Sequence, residues 1–111
     1  CRRMEENVWS KPAIFNLLDS EFVIISLYVD DRSKLSEEEE FKYLNSSGNI
    51  QYINNVGRRW SLFQQINFSN ASQPYYVAMM PSGKILTEPI QYTSEKNFEN
   101  WLRLSLEESI K

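Results

Sequence analysis

An α/β fold is the class this sequence predicts, and three observations lead to it. The run "FVIISLYV" is continuously apolar and β-branched with no polar alternation, the pattern of a strand covered on both faces. Amphipathic helical patterns stand on either side of it. Further on, two short apolar segments flank Pro81-Ser82-Gly83-Lys84, a connection short enough to permit only antiparallel pairing.

The elements follow in order. From Arg2 to Trp9 the spacing of Met4 and Val8 is helical, and Glu5 and Glu6 complement the positive end of a helix. "SKPAIFNLL" predicts a second helical piece, with Ser10 as N-cap, Pro12 in the first turn, and Ala13, Ile14, Leu17 and Leu18 on the buried side. Residues 22–30 are the expected covered strand. The polar, acidic stretch "RSKLSEEEEFKYLNSSGNIQYI" reads as a surface excursion with a turn at "NSSGN". In "NNVGRRWSLFQQINF", Val56, Trp60 and Phe63, with Leu62 and Ile66 alongside, predict an amphipathic helix capped by Asn55. "QPYYVAMMPSGKILTEPIQY" predicts a hairpin. Ser94 then caps a last helix whose inner stripe is Phe98, Trp101, Leu102 and Leu106.

A chain of 111 residues has room for one domain, here residues 1–111, and not for two. The net charge of −3 comes with no basic cluster beyond the pairs Arg2-Arg3 and Arg58-Arg59, which argues against nucleic acid as a partner. No apolar run approaches the roughly 20 residues of a membrane-spanning helix. The chain does not begin with Met, so the expectation is a piece of a longer protein. With no histidine, Ser-His-Asp and Cys-His machinery and imidazole metal sites are excluded. Glu37 to Glu40 read as a solvated face, and no metal or other cofactor is implied. Three Asn-x-Ser triplets, at Asn45, Asn67 and Asn70, match the glycosylation pattern at a frequency that chance supplies in a chain this rich in Asn and Ser.

The single cysteine is Cys1, directly ahead of the first helical run. A lone cysteine is by base rate an inert small hydrophobe. A lipid-anchored amino-terminal cysteine is a second alternative, although such chains usually continue into a flexible linker. A third reading comes from resemblance. "CRRMEENVWS" resembles the segment that runs from the second cysteine of a Cys-x-x-Cys motif into its helix in the C-terminal periplasmic domain of the DsbD family of thiol:disulfide interchange proteins. "ASQPYYVAMMPSGK" is similar to that family's cis-proline loop, strand and turn, and "NVGRRWSLFQQINF" to its preceding helix. The likeness covers most of the chain, while residues 34–54 carry little of the family's pattern.

The resemblance implies a thioredoxin-like, three-layer α/β/α domain that lacks the strand or strands before the Cys-x-x-Cys helix. Cys1 takes the part of the resolving cysteine; the nucleophile would lie three residues upstream, so this chain alone is expected not to complete a dithiol cycle. The Gln73–Pro74 bond is expected to be cis, against a base rate of about 5% for X-Pro bonds. Substrate would be held at Gln73, Pro74 and Tyr75, an extended segment pairing with the backbone of Gln73, with Trp9 and Tyr75 bordering the active face. The implied activity is disulfide reduction by dithiol–disulfide exchange. Its implied partners are oxidised periplasmic proteins or a redox partner domain, and its implied setting is the periplasm, in a larger envelope protein that a membrane-bound parent would fit. The alternative, from a different class, is a redox-inactive thioredoxin-like module that binds peptides or proteins.

One structural consequence follows from the resemblance. The absent strand would lie between residues 22–30 and the strand beginning at Tyr75. An open gap would leave backbone groups unpaired at about 1–3 kcal/mol each. The missing strand itself, direct pairing of its neighbours, or a neighbouring chain in an exchanged dimer would close it.

Overall fold

The computed structural model describes residues 2–111, which form two compact units: residues 2–24 with Ser72–Lys111, and Ile25–Ala71. The architecture mixes helices with a small antiparallel sheet.

In the first unit, α1 (Arg2–Met4) runs directly into a π-helical turn (Glu5–Trp9). The wider turn ends where Ser10 N–H donates to Glu5 O at 3.2 Å and Ser10 Oγ donates to Glu6 O at 2.7 Å. Ser10 therefore closes the first run. It is not the N-cap of α2 (Pro12–Glu21), as the sequence had suggested; that position falls to Lys11, whose side chain makes no capping bond. Pro12 sits in the first turn, where its missing N–H leaves no partner wanting. Of the four residues expected on the buried side, Ile14 is fully enclosed, Leu17 and Leu18 are half-buried, and Ala13 is exposed.

α4 (Glu95–Ser109) starts as expected, the Ser94 side chain accepting a hydrogen bond from Asn97 N–H at 3.2 Å. Its inner stripe of Phe98, Leu102 and Ser105 meets Met4, Val8 and Ile14 to form the core of this unit. Ser105 is the one polar group in the stripe, and its hydroxyl is satisfied by Trp101 O at 2.8 Å and by Thr87 Oγ1 at 3.0 Å. A buried hydroxyl so paired costs little.

The second unit holds β1 (Phe41–Leu44), β2 (Ile50–Ile53) and α3 (Val56–Phe68). The two strands pair antiparallel with Phe41 opposite Ile53 and Leu44 opposite Ile50. They arise inside the stretch expected to be a polar excursion, which is on the surface but structured. Asn45 builds the connecting turn: its Oδ1 accepts from Ser47 N–H and Asn49 N–H, both at 3.0 Å, and Gly48 takes the left-handed φ of 84° that the turn requires. Asn55 caps α3 as expected, accepting from Arg58 N–H at 2.8 Å. The buried residues of α3 are Gly57, Leu62 and Gln64; Leu62 joins Leu35 and Ile53 in a small second core on which Val56 also packs, while Trp60 is half-buried and Phe63, expected on the inner side, is exposed. Gly57 packs its backbone against the loop before it, donating to Asp31 O at 2.8 Å.

The strand expected over residues 22–30 does not form. Phe22 is extended, with φ −130° and ψ 150°, but no ladder bond reaches the run among the described residues. Val23 is 91% and Ile25 78% exposed. The physical reason is that a doubly covered strand draws its stability from neighbours on each edge and each face, and among the described residues no strand pairs with either edge of this run.

Candidate functional site

The hairpin that opens at Pro74 is the centre of the candidate site. The Gln73–Pro74 bond is cis, as expected; Pro74 itself is buried, Gln73 is exposed and Tyr75 half-buried. From there the two arms pair antiparallel. Tyr76 N–H donates to Ile90 O at 2.8 Å, Ile90 N–H returns a bond to Tyr76 O at 3.1 Å, and Leu86 N–H donates to Ala78 O at 2.9 Å. The turn closes through Gly83 N–H to Met80 O at 2.8 Å, with Gly83 at φ 94°. The expected hairpin is therefore present, as short bridges at Tyr76–Ile90 and Met79–Ile85 without continuous strands.

The first helical run meets this hairpin through aromatic rings. Trp9 is half-buried, with its ring centroid 5.8 Å from that of Tyr76 and the planes at 54°. Tyr76 in turn stands edge-on to Phe98 at 5.3 Å, and Phe98 packs on Trp101 at 5.7 Å. Trp101 is oriented by its indole N–H, which donates to Glu88 O at 2.8 Å. The Arg3 guanidinium lies 5.8 Å above the Tyr92 ring, on the far arm of the hairpin.

Burial, and secondarily the Glu5 carboxylate, push the Tyr76 hydroxyl from its ordinary 10.0 up to about 12. Tyr76 thus stays neutral across the physiological range. The indole N–H of Trp9 is also enclosed, and it has no hydrogen-bond partner among the described residues.

Of the residues named from the sequence, Trp9 and Pro74 are brought into one unit with Tyr75 and Gln73, and Cys1 lies outside the described residues. The ring that meets Trp9 is Tyr76, not the adjacent Tyr75 that was expected at this border. Residue type alone does not separate it from Tyr75; in the structure Pro74 and Ala78 are buried on one side of an alternating segment, and Tyr76 takes that same face. Trp60 belongs to the second unit, edge-on to Phe63 at 6.0 Å and 5.0 Å beneath the Arg59 guanidinium. Within the acidic run, Glu39 is engaged locally. It accepts from the Ser36 hydroxyl at 2.9 Å and faces Arg59 at 3.4 Å; the Ser36 hydroxyl and backbone N–H, then Arg59, hold its carboxyl below the usual range.

No helix among the described residues is long and apolar enough to cross a membrane. The chain matches no family model, and no curated protein matches it.

Proposed function

We propose that the chain is a thioredoxin-like thiol:disulfide interchange domain of a bacterial envelope protein, acting in the periplasm on oxidised partner proteins without a bound cofactor. The observation that carries this reading is the packing of the first helical run on the Pro74 hairpin through Trp9 and Tyr76. That run follows Cys1 directly in sequence, and the hairpin it packs on opens at Pro74. A three-layer arrangement with a central strand beside residues 23–28 would cover the exposed apolar side chains of that run.

The chemistry balances as two exchanges. A nucleophilic thiolate three residues ahead of Cys1 attacks a substrate disulfide, forming a mixed disulfide and releasing one substrate thiolate. The Cys1 thiolate then attacks the domain's sulfur in that mixed disulfide. The second substrate thiol leaves, two electrons have passed to the substrate, and the domain holds the new disulfide. Gln73, Pro74 and Tyr75 would seat the substrate chain beside the exchanging sulfurs, with Trp9 at the border.

The test is dithiothreitol-driven reduction of insulin by the chain extended with a Cys-x-x segment ahead of Cys1. Acceleration is expected, and Cys1→Ser in the extended chain should slow turnover and, when the reduced protein meets insulin with dithiothreitol removed, trap the mixed disulfide. An extended chain that gives no acceleration, yet still binds extended peptides, would assign the domain to the redox-inactive binding class instead.

A further inference from the structure

The β1–β2 hairpin presents two unlike faces. Phe41, Tyr43, Gln51 and Ile53 share one, on which Ile53 and Tyr43 pack into the second core. Lys42, Leu44, Ile50 and Tyr52 share the other. A half-covered antiparallel ribbon ordinarily turns polar residues outward, but here the outward residues Leu44, Ile50 and Tyr52 are 67%, 56% and 57% exposed. Adjacent exposed apolar residues of this kind mark contact surfaces.

Charge indicates what would cover them. In a chain of net charge −3, the stretch from Phe41 to Ile53 carries one charged side chain, Lys42. Its ammonium lies 5.5 Å from the Tyr52 ring centroid on the outward face. Beside Tyr52 stands the exposed Arg58, whose guanidinium donates to Tyr52 O at 3.1 Å and Asn54 Oδ1 at 3.3 Å. Arg58 and Tyr52 line a shallow cleft of about 280 Å³ with Gln51, Ser61 and Gln65. Two cations thus border an apolar strip that has no carboxylate of its own. A second copy presenting the same face is a poor occupant, because that face brings a cation and no carboxylate to Lys42 and Arg58.

We propose that this outward face docks an extended segment of a partner protein in which apolar residues alternate with carboxylates. The apolar side chains cover Leu44, Ile50 and Tyr52, while the carboxylates meet Lys42 and Arg58. The turn bonds of Asn45 hold the face in shape before contact, which reduces the ordering cost of binding. This inference concerns the second unit and is independent of the thiol chemistry proposed above.

The test is fluorescence anisotropy with a labelled Glu-Leu-Glu-Val-Asp-Leu-Glu peptide and a control carrying Lys at each acidic position. The acidic peptide should bind and the lysine peptide should not. Leu44→Ser with Ile50→Ser should weaken binding by about tenfold or more, in the manner of contact-centre residues, and Lys42→Glu should invert the charge preference. Circular dichroism checks that each variant keeps its fold; if the double variant loses it, Lys42→Glu alone decides. The proposal is overturned if neither peptide binds, if both bind equally, or if binding is indifferent to the variants. A dimer in sedimentation velocity that Leu44→Ser dissolves would overturn it in favour of a second copy.

Discussion

Trp9 and Tyr76 face each other at 5.8 Å with their planes inclined at 54°, and through this contact the first helical run is held to the Pro74 hairpin. Both rings are half-buried. Trp9→Ala or Tyr76→Ala should each cost about 2–4 kcal/mol, toward the lower side of large aromatic truncations in cores. Because the rings touch, their double-mutant cycle should show a coupling of about 0.5–1.5 kcal/mol. Urea midpoints of the four proteins measure it, and additive losses would mean that the contact contributes nothing specific.

Alkaline pH should destabilise the fold through Tyr76. Its folded hydroxyl ionises near 12, whereas in the unfolded chain it reverts to about 10.0. The unfolded state therefore loses this proton first, and stability falls as pH rises from about 10 through about 12, with the full contribution present below that window. Urea titrations at pH 9, 10 and 11 should show a decline that is smaller in Tyr76→Phe. An identical decline in both proteins would place its origin elsewhere.

Gly57→Ala should destabilise the second unit, although alanine is the better helix former by about 1 kcal/mol. A Cβ at Gly57 meets Val29 O at once and Asp31 O at 2.7 Å, and backbone atoms cannot swing aside as a flexible side chain would. A net loss of about 1–3 kcal/mol is expected, as in other overpacked sites. Amide exchange should quicken along α3 and in the 29–33 loop, with the first unit unaffected.

Ile25→Lys should change stability by less than about 0.5 kcal/mol, since the side chain is 78% exposed and unpaired surface positions are generally neutral. The same substitution should reduce light scattering in concentrated solutions, because a charge interrupts an apolar, β-branched segment prone to edge pairing. A loss of several kcal/mol would show that residue 25 is covered in solution.

Local chemistry was the legible part of this molecule. Asn55 and Ser94 each place a side-chain oxygen within one turn of a helical N–H, so their identity and spacing announce a cap. Pro81-Ser82-Gly83-Lys84 announces a turn for another reason, the fixed φ of proline and the left-handed φ that Gly83 adopts. Ser10 misled because its hydroxyl had two uses available, and it serves the carbonyl behind it, not the amide ahead. The apolar run at Val23 signalled what such side chains favour, but a strand is a property of its neighbours. The β1–β2 hairpin was hidden because only Tyr43 and Ile53 of its inner face are drawn well into the core, too few to set up a period in the sequence. At the candidate site, Pro74 and Trp9 were visible as types, while Tyr76 emerged only from the packing that selects one of two adjacent tyrosines.

The first unit is discontinuous in the chain: its early part ends at Ile24 and it resumes only at Ser72. During synthesis Met4, Val8 and Ile14 emerge long before Phe98 and Leu102, the side chains that enclose them. Until the last helix leaves the ribosome, these early residues have no lasting shelter, and the nascent chain must be kept from associating through them. Doubling the intervening segment would add only about 0.6 kcal/mol of closure entropy; the burden of this connectivity therefore falls on the time taken to fold far more than on the balance finally reached.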